Sequence, residues 1–204
     1  MTERRHHKPA MPGSGHFEEI EGGVDPSEVS AAADRAATAL VRGAHDNADA
    51  ELVSRVVHLA DTEGLETLAA LWAGAPADSL AGALWRLYLL RSWVYADPGT
   101  AAREFDLGRL HAPVAEAISG VPEPPGPDEV RALVDQVLRG VVIGDFADTL
   151  FRAAAFARVT ASGRASTEQT DGSSYDKDLA ASRLLGLAEQ LEVAGRLELD
   201  GHLG

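Results

Sequence analysis

The residues best suited to chemistry are gathered on one stretch. All three tryptophans, Trp72, Trp85 and Trp93, fall within residues 72–93, with Tyr88 and Tyr95 beside them. On a helix, Trp85 and Tyr88 sit one turn apart and Trp93 two turns on, on related faces. Arg86 and Arg91 interrupt the same apolar run, and Arg152 interrupts a second one. A guanidinium on a buried helix needs a partner, because burying it alone is costly. Two accounts fit these residues. One is a ligand-binding pocket inside a bundle, with Arg86 and Arg152 converging on an anion and Trp85 and Tyr88 lining it. The other is purely structural. In it the rings fill the core, and the arginines pair with carboxylates such as Asp78, Asp145 or Asp148.

A metal site can be drawn from His45, Asp49, His58 and Asp61, a set of imidazole and carboxylate donors. No HExxH or Glu-x-x-His spacing supports it. His58 falls on an otherwise apolar helix, where a hydrogen-bonded core histidine is the commoner outcome. Covalent chemistry has no motif either. The chain has no cysteine, which removes disulfides, thiolate catalysis and Cys-ligated zinc. There is no G-x-S-x-G, no P-loop and no GxGxxG. No catalytic residue, metal ligand or cofactor is assigned.

The elements that must position these residues are helical. The 204-residue chain is 45% hydrophobic but only 5% aromatic, and rich in alanine. That composition favours close helix packing over sheets. Residues 1–24 carry Gly, Pro, His and charge without periodicity and are expected to form a flexible N-terminal arm. Asp25-Pro26-Ser27-Glu28 is a helix start, with Asp25 as cap and Pro26 in the first turn. Further helices are expected from about residue 47 to 60, from 65 to 72, and from 80 to 95. Short ones follow from Pro98 through Phe105 and from His111 to Ile118. The stretch Leu80–Val94 is apolar nearly all round, the mark of a buried central helix. Four prolines in PEPPGP make a stiff connector. Helices then run from 128 to 142 and from 146 to 160. Residues 161–175, small and polar, read as a flexible loop. A last helix runs from 176 to 194, stopped by Gly195. The tail Arg196–Gly204 would add a short extended piece, in the manner of a winged-helix domain's recognition helix and wing.

The expected fold is an all-α, irregular multi-helix bundle. Its parts are an arm at 1–24, a bundle at 25–160, a loop at 161–175, and a C-terminal helix and tail at 176–204. An offset of 66 residues aligns Leu71-Trp72 with Val137-Leu138, Leu80-Ala81 with Phe146-Ala147, and Leu84-Trp85-Arg86 with Leu150-Phe151-Arg152, without a gap. This suggests two related helical hairpins. Chance similarity between two Ala- and Leu-rich helix pairs is the alternative.

The formal charge is −14, with only 18 Lys and Arg. The acidic excess is spread along the chain rather than gathered in a tail. Such a surface repels phosphate backbones and argues against direct nucleic-acid binding. No apolar stretch reaches the roughly 18 residues of a membrane span, and the N-terminus lacks a signal-peptide core, so a cytoplasmic location is expected. These features point to a non-enzymatic helical protein that binds a protein partner or forms a homo-oligomer, with no direct nucleic acid and no membrane. A small-ligand-binding or enzymatic bundle with an Arg-lined pocket is the second hypothesis. An acidic regulator that mimics nucleic acid is the third.

Overall fold

The apolar runs of the sequence become helices whose ends are fixed by identifiable caps. The computed structural model describes residues 25–42, 58, 64–111, 124–138, 145–171 and 174–204. Among them are seven long helices: α1 (Pro26–Arg42), α2 (Leu65–Trp72), α3 (Leu80–Ala96), α4 (Pro98–His111), α5 (Pro127–Leu138), α6 (Phe146–Asp171) and α7 (Ser174–Leu199). No strand occurs among the described residues, and the fold is all-α. No described helix is long and apolar enough to cross a membrane.

Asp25 starts α1, its Oδ1 accepting from the Ser27 amide at 2.9 Å. Ser79 starts α3 by accepting from the Gly82 amide at 3.1 Å. Asp145 starts α6 by accepting from the Ala147 amide at 2.9 Å. Each cap satisfies an amide that the helix itself leaves without an acceptor.

Helix α3 is central, as its all-round apolarity implies. It touches each of the other six helices, and Leu80, Leu84, Leu87, Leu90 and Val94 are buried along it. Helix α6 is the second axis, packed most extensively on α7 and then on α4. Phe156 of α6 is fully buried; it stacks on Phe105 of α4 with centroids 5.4 Å apart and meets Trp93 of α3 at 6.3 Å. Trp72 is also fully buried, and its indole N–H donates to the Ala33 carbonyl at 3.2 Å. Two fork-like ion pairs tie distant elements. Arg42 holds Glu198 near the end of α7, and Arg164 holds Glu104 across α4 and α6.

Several expectations change. Residues 161–171 are not a loop but the last three turns of α6. Their small side chains are what α4 requires. A Cβ on Gly163 would lie 1.7 Å from the Glu104 carbonyl oxygen, and one on Gly108 would lie 1.8 Å from that of Val159. The two helices therefore touch backbone to backbone. Ser166 and Thr167 return their hydroxyls to the Gly163 carbonyl at 2.7 and 2.9 Å, inside the helix rather than against it. For the same reason α4 continues past Phe105 to His111.

At the other end, α7 passes through Gly195 instead of stopping. Gly195 is a packing residue there, with the Phe151 ring 3.0 Å from where its Cβ would stand. The stop comes at Gly201, whose φ is +69°. The Gly201 amide bonds the Glu198 carbonyl and the His202 amide bonds the Leu197 carbonyl, a paired closure of the last turn that favours glycine. The extended piece at 196–204 is therefore helix and turn, and a winged-helix wing is absent. The predicted helices at 47–60 and 111–118, and the arm at 1–24, lie outside the described residues apart from His58 and His111.

The 66-residue offset reappears in the structure. Helix α3 begins at Leu80 and α6 at Phe146, 66 residues apart. Burial follows the same register. Trp72 and Leu138, Leu84 and Leu150, Leu87 and Ala153, and Leu90 and Phe156 are all buried, whereas Trp85 and Phe151, and Arg86 and Arg152, are half-buried.

Candidate functional site

The open side of α3 faces α7 across a groove. Two adjoining recesses, of about 430 and 280 Å³, share Leu89, Arg183 and Leu187. Trp85 and Arg86 complete the first with Gly186 and Gln190, and Trp93 and Arg164 close the second. One wall comes from α3, whose Leu89 stays 39% exposed, a large apolar side chain facing water. The other wall is α7, where Gly186 leaves open space: a Cβ there would meet nothing within 4 Å.

Arg86 spans the groove. Its Nη1 donates to the Gly82 carbonyl one turn back at 2.8 Å, and its Nε donates to Gln190 Oε1 on α7 at 2.5 Å. Both partners are neutral. Partial burial pulls the guanidinium's pKa below its ordinary value, and the charge of Asp78 works in the opposite direction. The cation is thus held in place by dipoles while its charge stays uncancelled at short range. Arg183 stands on the opposite wall, exposed. Its helical neighbours at three and four residues are Leu179, Ala180, Gly186 and Leu187, so α7 supplies no carboxylate to it.

Several other arginines are matched with acids. Arg91 pairs with Asp135, and the Tyr95 hydroxyl donates to the same carboxylate at 2.7 Å. Arg91 and Arg131 lie 4.3 and 5.0 Å from the centroid of the Tyr95 ring. This group fastens α3 to α5. Arg164 is committed to Glu104 at 2.8 Å and also lies 4.9 Å from the Trp93 ring centroid. A larger recess of about 690 Å³ opens between α6 and α7, but small residues line most of it. Its one arginine, Arg158, is paired with Glu192 at 2.7 Å.

Trp85 and Arg86, two of the four residues singled out from sequence, line the groove. Tyr88 supports it from behind, stacked on Trp85 with centroids 5.6 Å apart and planes 21° from parallel. Arg152 does not line it, and the two arginines are not brought into one recess. Arg152 has a buried Nε with no described acceptor. Of the candidate metal ligands, only His58 lies among the described residues, and it is exposed rather than buried in a core. No group of three or more His, Asp or Glu side chains suited to a metal occurs among the described residues.

Sequence reasoning missed the α7 wall: Arg183, Leu187 and Gln190. One signal was available. Arg183 has only apolar or small neighbours at helical spacing, whereas Arg196 has Glu192 one turn before it. No protein-family model, curated protein or solved structure matches the chain.

Proposed function

We propose that this chain is a non-enzymatic protein-interaction module of the cytoplasm, and that the groove between α3 and α7 receives an acidic, apolar segment of a partner protein. One observation carries the reading: Arg86 and Arg183 flank exposed apolar side chains, and neither is ion-paired with a carboxylate among the described residues. In a chain of formal charge −14, these two cations stand beside Trp85, Leu89 and Leu187 without an acid of their own. Such a surface complements a segment that interleaves carboxylates with large apolar residues. The eight steps from Trp85 to Trp93 correspond to about 12 Å of helix. That length suits apolar anchors on two turns of a docked helix.

A second feature supports the same reading. On α6 the row through Phe151 and Arg158 is covered by α7, which meets it at Gly195 and Glu192. The equivalent row on α3, through Trp85 and Leu89, stays open. A docked segment would cover it as α7 covers its counterpart.

The test is the double substitution Arg86→Glu with Arg183→Glu. The native chain and the variant are used side by side for affinity capture from the native cell extract, with quantitative mass spectrometry. A captured protein should fall about tenfold with the variant, while the circular dichroism and melting of the variant match the native chain. Capture that is indifferent to both arginines overturns the proposal. The ligand-pocket alternative built on Arg86, Arg152, Trp85 and Tyr88 is less well supported, since the groove opens to solvent and Arg152 is not part of it. Small molecules retained through purification are checked in the same sample.

A further inference from the structure

Most glycines inside the described helices are explained by what packs against them. Glycine weakens a helix interior, so its presence there calls for a reason. A Cβ on Gly82, Gly108 or Gly163 would lie 1.7, 1.8 or 1.7 Å from a carbonyl oxygen, and one on Gly195 would lie 3.0 Å from the Phe151 ring. Gly99 belongs to the first turn of α4, at the helix end. Gly186 is different. It stands in the middle of α7, and a Cβ there would meet nothing within 4 Å among the described residues. No described neighbour requires a glycine at this place, which lines the α3/α7 recess with Trp85, Arg183 and Leu187. We infer that Gly186 is a specificity notch that receives an aromatic ring of the partner segment, and that this ring anchors the docked complex. The inference rests on the groove reading above and names what the groove selects.

Three arguments favour a ring. The first is precedent within the same helix. At Gly195, α7 already accepts the Phe151 ring of α6, and Phe151 is the 66-residue counterpart of Trp85. The second is room. The recess at Gly186 holds about 430 Å³ between Trp85, Leu89 and Leu187. A bare backbone crossing, like that of Gly108 on Gly163, would leave much of this space empty and forfeit dispersion. An aromatic ring fills it and can lie offset on Trp85, whose own plane is fixed by stacking on Tyr88. The third is charge. Arginines of this chain take ring faces, as Arg91 does on Tyr95 at 4.3 Å and Arg164 on Trp93 at 4.9 Å. Arg86 and Arg183 line the recess and offer a ring the same contact, while their remaining donors hold the acids that flank it. An aromatic anchor seated in a pocket with arginine beside it is the kind of contact that dominates protein interfaces.

The test uses the full chain and three pools of short synthetic peptides. Each pool is degenerate in Ala, Gln and Glu except at a central position, fixed as Phe, Leu or Ala. The pools are mixed in equal amounts, passed over the immobilised chain, and the retained peptides are quantified by mass spectrometry. The native chain should enrich the Phe pool about tenfold over the Ala pool, and over the Leu pool to a smaller degree. The preference for Phe should shrink with Gly186→Ala and vanish with Gly186→Leu, while neither variant melts below the native chain. Arg86→Glu/Arg183→Glu should abolish retention of all three pools.

A preference for Phe that survives both Gly186 substitutions overturns the notch and, where retention still depends on the two arginines, leaves the groove reading standing. Leu enriched as strongly as Phe overturns the aromatic anchor alone. Retention indifferent to arginine reversal overturns both readings. No retention of any pool by the native chain overturns the anchor, and the groove reading then rests on the capture experiment.

Discussion

The two hairpins, α2–α3 and α5–α6, share a register but not a fate. Position for position their inward residues are buried alike. Their outward residues differ. Tyr88, Leu89 and Arg91 of α3 correspond to Ala154, Ala155 and Ala157 of α6. The three alanines are at most 1% exposed, because α4 and α7 close over them. Alanine lets two helices approach at small separation, and α6 exploits this on both flanks. On α3, Leu89 is left exposed in the groove, while Arg91 reaches across to Asp135 of α5. A single helical plan thus yields a sealed core element in one copy and a surface that can accept another chain in the other.

The largest effect expected from breaking this contrast lies at the sealed contact. Gly163→Ala would put a Cβ 1.7 Å from the Glu104 carbonyl oxygen, and a backbone atom cannot swing aside. Urea titration should show a loss of about 3 kcal/mol. Gly186→Ala, in the groove, meets nothing within 4 Å and should gain up to about 1 kcal/mol from helix propensity alone. A loss at Gly186 similar to that at Gly163 would mean the groove is closed.

The next contrast exchanges the outward residues themselves. Ala155→Leu forces a large side chain under α7 and should cost about 1–3 kcal/mol. Leu89→Ala, at the equivalent open position, removes a side chain already 39% exposed and should cost less than about 1 kcal/mol. Equal costs in thermal or urea unfolding would erase the distinction between the two faces.

The smallest effect is a pH effect at the caps. The Asp97 carboxylate accepts from the Thr100 amide at 3.0 Å and starts α4, which covers α6. This backbone bond, with the Thr100 hydroxyl and the charge of Arg103, holds the Asp97 pKa below the ordinary carboxylate value. Asp25 is lowered in the same direction by Ser27 at the start of α1. A pKa depressed on folding contributes stability that is complete above about pH 4, the unfolded value, and is lost as pH falls through the folded value. Amide protection at Thr100 and Ser27 should therefore fall on acidification below about pH 4. Protection at Gly82, capped by the Ser79 hydroxyl, should not follow it. Parallel loss at all three would point to general acid unfolding instead.

Much of the fold is legible in the sequence. Asp25 caps where the Asp-Pro-Ser-Glu start implies, and the run Leu80–Val94 is apolar nearly all round, as a central helix is. The register of the two hairpins is visible as L-[WF]-R repeated at 66 residues. What misled was the reading of small residues. Gly163, Ser166 and Thr167 have poor local helix propensity, and Gly195 resembles a stop. Each is helical because a neighbouring backbone or ring fills the space a side chain would have taken, and that neighbour is distant in sequence. Half of the groove was legible too. Trp85 and Arg86 stand out on an apolar helix, but their counterparts on α7, about 100 residues later, do not.

The sequence by itself determined that the chain is helical and acidic, where most helices begin, and which helix lies at the centre. Composition, capping residues and apolar period act locally and need no partner to be read. Tertiary structure decided which faces were covered. It set Gly163 against Glu104, left Leu89 in the open, and placed Arg86 beside a glutamine rather than an acid. Whether a charge is cancelled or left available depends on what packs across from it, and that is a property of helix against helix.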